Sequence, residues 1–428
     1  MIPEIELQSP QEIKEYQEKR LRELLPYLQE DSAFYKRHFE QNKIDISQIQ
    51  TLEDLQQIPT VSKDDLQKNN EDFLCVPRSK VIDHVTTSGT LGDPVSFYLT
   101  DKDLNRLAYN EAISFACSGV TADDTIQLMT TMDRRFMAGM AYFLGARQLG
   151  AGIIRTGSGI PELQWDSIEK FNPTYLIAVP SFLVKLIAFA EKNGHDLNAT
   201  SVKAAICIGE PIREPDFQLN TLGKKIKEHW DIDLYSTYAS TEMATAFNEC
   251  SAQQGGHLHP ELIIAEILDE NEQPVNAGEV GELVVTTLGV EGMPLLRFKT
   301  GDMVQAHDES CTCGRNSLRL GPVVGRKKQM IKYKGTTLYP PAMINLLNDF
   351  SGIDGYVIEL RHNELGTDEI LLRIHAPAAN DILLKEVKDH FRAKLRVRPN
   401  VVFESKETLD AIRFPKTSRK PVVVVDLR

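Results

Sequence analysis

Short, continuous apolar runs alternate with longer amphipathic stretches through the middle of the chain. DDTIQLMTT (from Asp123), GAGIIRTG (from Gly150), YLIAVP (from Tyr175) and VKAAICIGE (from Val202) are bounded by turn residues, as expected of buried strands. Between and beside them, LNRLAYNEAISFAC (from Leu104) and SFLVKLIAFAEKNG (from Ser181) repeat apolar residues at the helical period. This alternation predicts an α/β fold with a largely parallel or mixed sheet.

The pattern changes at both ends. From Gln11 to about Asn70 the chain is charged and poor in glycine, and LRELLPYLQE and VSKDDLQKNN predict helices with polar outer faces. From Pro260 onward, ELIIAEILDE and GELVVTTLG are split by the turn-rich NEQPVNAG, which predicts a β-rich subdomain over about 260–325. After Arg326, MIKYKG, GYVIELRH, EILLRIHA, the helical LLKEVKDHFRAKL and PVVVVDL predict a small α+β domain. The expected organisation is a large domain over 1–325, with a helical extension over about 1–70, and a second domain over 326–428.

At 428 residues the chain exceeds one ordinary core, in keeping with that division. Its net charge of −13 argues against general nucleic-acid binding, yet leaves room for a nucleotide in a locally positive site. MIPEIELQ has acidic residues and no apolar run, so it does not read as a signal peptide. The best membrane candidate, SFLVKLIAFA, is short and contains Lys185. A cytoplasmic protein outside the membrane is expected. Its six cysteines should then be reduced or metal-bound.

Five loop segments supply candidate chemistry. In HVTTSGTLGDPVSF, Thr86, Thr87, Ser88 and Thr90 offer hydroxyls, and Gly89 and Gly92 permit tight turns that aim amides at a polyphosphate. A polar hairpin turn explains the same residues equally well. In DLYSTYASTEMA, Tyr238 could pack on a base, Thr241 could bond a phosphate, and Glu242 could hold Mg²⁺ through a hard oxygen. The plainer reading is a helix start capped by Ser240 or Thr241. In LLRFKTGDMV, Asp302 could accept from two ribose hydroxyls, or sit in an ordinary turn. Arg326 and Lys328 fall where the composition changes, as a linker between domains would. Lys416, Arg419 and Lys420 form a basic segment that could bring positive charge to a reacting phosphate, or merely be solvated.

The order of these segments says more than any one of them. TTSGTxGxP, GEP, YxxTE, TGD, GRxxxxIKxxGxxxxP and a terminal lysine follow one another from Val85 to the C-terminus. This series resembles that of the acyl-adenylate-forming superfamily, and within it the chain is most similar to phenylacetate–CoA ligases. FMAGMAYFLGARQLGAG (from Phe136) and CTCGR (from Cys311) resemble two further stretches of that family. Leu91, Asp93 and Lys328–Gln329 depart from the usual residues at their positions.

The resemblance implies an acid–CoA ligase that uses ATP and Mg²⁺, forms an acyl-AMP and releases AMP and pyrophosphate. It implies phosphate contacts from Ser88, Gly89, Thr90 and Gly92, and an adenine slot formed by Gly209, Glu210, Pro211, Tyr238, Ala239 and Ser240. Thr241 would touch the α-phosphate, Glu242 would hold Mg²⁺, and Asp302 with Arg326 would bind the ribose. Lys420 would be the adenylation lysine, with Lys416 as its rival, and Lys328 the hinge about which the small domain turns. Gly335 would line the CoA tunnel, and Phe136, Met140 and Tyr142 an aryl-acid pocket, although helix-facing core explains those three as well. A homodimer is also implied. Two alternatives stay open: an adenylating enzyme with a different acceptor, and a non-catalytic nucleotide-binding protein.

Cys250, His257, Cys311 and Cys313 make a Cys₃His set suited to tetrahedral zinc, with His259 as a competing ligand. Reduced thiols without metal are the alternative. The resemblance favours a structural Zn²⁺ that pins the β-rich subdomain.

Overall fold

A computed structural model describes residues 2–87, 94–333, 336–362, 368–415 and 421–428. The chain enters its first helix, α1 (Pro10–Asp31), through a reciprocal cap. The Ser9 hydroxyl accepts from Glu12 N, and the Glu12 carboxylate accepts from Ser9 N at 2.9 Å. Ile13, Leu21, Leu24, Leu25 and Leu28 fall on its buried stripe. Two further helices, α2 (Ala33–Asn42) and α3 (Lys63–Lys68), follow.

Strands β1 (Asp83–Thr86) and β2 (Ser96–Leu99) pair antiparallel. Then α4 (Asp101–Cys117), β3 (Thr125–Leu128), α5 (Met137–Leu149), β4 (Gly152–Arg155), α6 (Pro161–Phe171), β5 (Tyr175–Ala178), α7 (Pro180–Asn193), β6 (Ala204–Ile208), α8 (Thr221–His229) and β7 (Asp233–Ser240) alternate. The five strands from β3 to β7 are parallel, in the order β4-β3-β5-β6-β7. That is a doubly wound arrangement, with its change of direction between β3 and β5. Successive side chains serve opposite faces. Leu176, Ala205 and Leu234 pack with Trp165, Leu183 and Trp230, while Ile177, Ile206 and Tyr235 pack with Phe115 and Tyr142. One strand differs from expectation: β4 is half exposed, because it forms the sheet's edge and lacks a neighbour on one side.

The chain continues into β8 (Thr245–Glu249), β9 (Gly256–His257), β10 (Ile263–Leu268), β11 (Val280–Thr287), β12 (Phe298–His307) and β13 (Arg319–Leu320). These extend the same sheet in the order β10-β11-β12-β13-β9-β8-β7. The β-rich stretch therefore has no separate sheet; β13, β9 and β8 join it to the parallel strands.

By their contacts the described residues divide into two units, one of 2–87, 94–300 and 304–322, the other of 301–303 and 323–428. The second contains β14 (Gly325–Arg326), β15 (Ile331–Tyr333), β16 (Thr336–Leu338), α9 (Pro340–Asn348), β17 (Gly355–His362), β18 (Asp368–His375), α10 (Asp381–Leu395), β19 (Asn400–Phe403), α11 (Lys406–Arg413) and β20 (Val424–Asp426). Its sheet runs β19-β18-β17-β20, and its core gathers Ile358, Leu360, Leu372, Val387 and Phe391. Among the described residues, no helix is long and apolar enough to cross a membrane.

Candidate functional site

The parallel strands β5, β6 and β7 end side by side, and their carboxyl ends are where ligands bind in open α/β sheets. Gly209, directly after β6, turns at φ +76°, a conformation that glycine adopts without strain. Glu210 then turns back to the preceding helix: its carboxylate accepts from Ser181 N and Ser181 Oγ, both at 2.9 Å. It thus caps the amino end of α7, where a negative charge is favoured by the helix dipole. Since Ile208 is in register with Thr237, Gly209–Pro211 leaves the sheet beside Tyr238.

The segment after Tyr238 is a hairpin. Tyr238 pairs with Phe247, Ala239 with Ala246, and Ser240 with Thr245. Thr241–Ala244 form the turn, and Ser240 Oγ accepts from Met243 N at 3.3 Å. The helix-cap alternative for Ser240 and Thr241 is therefore set aside, because the next element is a strand. The turn presents Glu242, and its Oε1 lies 3.3 Å from Nζ of Lys63, the first residue of α3. Both side chains are mostly shielded from solvent. The N-terminal extension thus contributes a cation to this edge.

Asp302 lies within strand β12, after Gly301 at φ +78°, rather than in a turn between strands. Its register partner is Arg326, with Arg326 Nε 3.4 Å from Asp302 Oδ1. Lys328 sits in a 3-10 turn whose backbone is held by the C-terminal residue: Arg428 donates to Lys328 O at 3.3 Å and to Met330 O at 2.8 Å. Ser88, Gly89, Thr90, Gly92, Gly335, Lys416, Arg419 and Lys420 lie outside the described residues.

Of the three expected pocket residues, Tyr142 sits apart from Met140. Phe136 precedes the helix, Met140 is exposed, and Tyr142 is buried in the core beside Phe115, ring centroids 6.0 Å apart. Two residues along a helix is roughly 200° of rotation, so Met140 and Tyr142 must face opposite sides. Tyr142 is a core residue.

Cys250 follows β8, His257 is on β9, and Cys311 and Cys313 follow β12. Their ligand atoms all lie within 4.8 Å of one another. Cys250 Sγ is 3.7 Å from Cys311 Sγ, and Cys313 Sγ is 3.5 Å from His257 Nε2. Tetrahedral zinc requires S···S of ~3.8 Å and S···N of ~3.6 Å, given its usual bond lengths. The far nitrogen, His257 Nδ1, meets Ser317 Oγ at 3.3 Å, the kind of second contact that orients a metal-binding imidazole. Burial opposes a thiolate at Cys313, but the contacts with His257 and then Arg315 outweigh it and hold its pKa at about 5. The donor set therefore fits zinc. His259 is not part of it: its Nδ1 lies 2.5 Å from Glu6 and its Nε2 3.1 Å from Ser114 Oγ.

Lys63, Glu6 and Ser317 escaped the sequence reading because each acts across a long chain separation. Arg315 lies inside the CTCGR motif, and that placement was the one available signal.

The model of the AMP-binding enzyme family matches residues 34–292. A phenylacetate-coenzyme A ligase of Thermus thermophilus is 29% identical over 409 residues, 92% of this chain and 90% of that protein. One from Escherichia coli K12 is 25% identical, over 99% of this chain and 97% of that protein. Among solved structures, 2-hydroxyisobutyryl-CoA ligase in complex with 2-HIB-AMP superposes with a TM-score of 0.85 at 24% identity, covering 100% of this chain and 92% of that one.

Proposed function

The chain belongs to the AMP-binding enzyme family, and on that premise we propose that it is an AMP-forming acid–CoA ligase whose substrate is an aryl acid of the phenylacetate type. The observation that carries this reading is the carboxyl edge of β6 and β7. There a glycine turn, an aromatic ring, a hydroxyl and a carboxylate follow one another at Gly209, Tyr238, Thr241 and Glu242, in a chain similar over nearly its whole length to ligases named for phenylacetate.

In the first half-reaction a carboxylate oxygen of the acid attacks the α-phosphorus of ATP. The bond to the bridging oxygen breaks, and pyrophosphate leaves with its electron pair. The protein's part is to position the reactants and balance charge. Tyr238 and Gly209–Pro211 hold the base, and Asp302, steadied by Arg326, accepts from the ribose hydroxyls. Thr241 donates to the α-phosphate, with Ser88, Gly89, Thr90 and Gly92 around the departing phosphates. Glu242 offers the hard oxygen that Mg²⁺ prefers, and the ion when bound would screen phosphate charge. Lys420 brings the cation that favours attack. In the second half-reaction the CoA sulfur attacks the acyl carbon, and the bond to AMP breaks. A domain of residues 326–428 turning about Lys328 would exchange Lys420 for the Gly335 segment between the two steps.

We also infer that Cys250, His257, Cys311 and Cys313 hold a structural zinc ion. The spacing of the four ligand atoms and the Ser317 contact support it.

The test is AMP release from ATP, Mg²⁺ and CoA across a panel of acids headed by phenylacetate. Release that needs both acid and CoA, and is fastest with arylacetic acids, is the expected result. AMP formed without CoA consumption would point to another acceptor, and no AMP with any acid would overturn the reading.

A further inference from the structure

Glu6 is fully buried although it lies six residues from the start of the chain. It sits in a 3-10 turn, Glu4–Leu7, ahead of α1. A carboxylate so placed is strongly destabilised unless hydrogen-bonding or oppositely charged partners meet it. Two do. Glu6 Oε1 lies 2.5 Å from His259 Nδ1, and Glu6 Oε2 accepts from Arg315 Nε at 2.6 Å. Together these partners outweigh burial and keep its pKa below the ordinary value.

Arg315 is the connecting group. It is itself buried, and its Nη1 donates to Cys313 Sγ at 3.5 Å. One guanidinium thus bridges the Glu6 carboxylate and a candidate metal-binding sulfur. The backbone strengthens the link. Asn316 N donates to Glu6 O at 2.7 Å, and Asn316 Nδ2 donates to Leu7 O at 3.2 Å and Gln8 O at 3.0 Å. Both edges of the 311–316 loop are therefore committed: one side faces the sulfur cluster, the other receives the N-terminal segment. A buried Arg–Glu pair remote from such a cluster would be ordinary fold stabilisation. Here the arginine's second acceptor is a cysteine sulfur of the cluster.

We propose that Glu6 is a positioning residue of the Cys₃His site, acting through Arg315, so that metal retention and docking of the N-terminal segment are coupled. The inference rests on the zinc reading given above. Glu6 fixes the guanidinium where it can donate to Cys313; a direct partner of a ligand, as that guanidinium is, is typically worth roughly 10–100-fold in metal affinity, which is the upper bound for Glu6. Coupling of this sort is reciprocal. If the docked segment tightens the metal, the metal must tighten the segment. The N-terminal segment is thus part of the metal centre's outer layer, and loss of the ion is expected to loosen a part of the chain far from it in sequence.

The experiment uses the full-length, zinc-loaded protein. Zinc transfer to a coloured chelator is timed for the unsubstituted protein and for Glu6→Gln, which keeps shape and removes charge. Cobalt is then exchanged into both and the thiolate-to-metal absorption recorded. Expected are faster zinc release in Glu6→Gln, by up to roughly 10–100-fold, and a shifted cobalt–thiolate band. The reverse arm needs no variant: hydrogen exchange of residues 4–17 is measured in the unsubstituted protein before and after metal removal, and should rise on removal. This arm also decides the matter if Glu6→Gln does not fold. Bound zinc with unchanged release, unchanged absorption and unchanged exchange would overturn the coupling and leave the zinc reading standing. Failure of the unsubstituted protein to retain any stoichiometric metal would overturn both.

Discussion

Glu111 sits in the middle of α4 with its carboxyl buried, and Asn110 Nδ2 donates to it at 3.0 Å. Burial raises its pKa from the ordinary 4.5 to about 8. The sign follows from linkage. The folded protein keeps this proton between those two values while the unfolded chain has released it, so stability falls as pH rises across that window. The contribution is complete below 4.5 and gone above about 8, draining at about 1.4 kcal/mol per pH unit. Glu111→Gln should therefore gain on the unsubstituted protein between pH 5 and pH 9 (roughly its titration window), as read from urea midpoints at the two ends. A constant difference would mean that Glu111 is already ionised in the fold. Residues of this kind mark the boundary of what the sequence tells. Gly209, Tyr238, Thr241 and Glu242 stood out as candidates because their spacing along the chain is itself a signal. Lys63 and Glu6 were not, since nothing local distinguishes a lysine that reaches Glu242 from the solvated lysines around it.

Helices α4 and α5 pack closely at Gly145. A Cβ there would stand 2.2 Å from Glu111 Cβ and 3.0 Å from its carbonyl carbon. Alanine is the better helix former by roughly 1 kcal/mol, but overpacking against backbone costs about 1–3 kcal/mol and the helices cannot part without opening the core. Gly145→Ala is thus expected to lower the urea midpoint, and an unchanged or raised midpoint would show that the contact has slack. At this scale the apolar periods served well. The predicted parallel strands and their helices form, since burial on both faces demands continuous apolar runs. The exception, β4, has the composition of a buried strand but ends the sheet, and sheet order is not encoded in a strand's own residues. The Tyr238–Glu242 segment admitted a helix start because Ser, Thr and Glu suit either a cap or a turn. The pairing of β7 with β8 decides between them.

For the molecule as a whole, the sequence implied an α/β architecture, and the sheet from β4 to β10 has it. It did not reveal that the β-rich stretch continues the parallel sheet, because the junction is made by the two-residue strands β9 and β13, too short for any period. The proposed alternation of two half-reactions also belongs to this scale. Lys420→Ala is expected to abolish formation of the adenylate while sparing CoA transfer from preformed acyl-AMP. Equal loss of both steps would assign the residue a structural part instead, and intact adenylation would point to Lys416. The acyl-adenylate itself is tested most directly by exchange of labelled pyrophosphate into ATP, with Mg²⁺ present and CoA absent. The proposed function predicts exchange that appears only when an aryl acid is added and that collapses in Lys420→Ala. No exchange with any acid, from a folded protein that binds ATP, would contradict it.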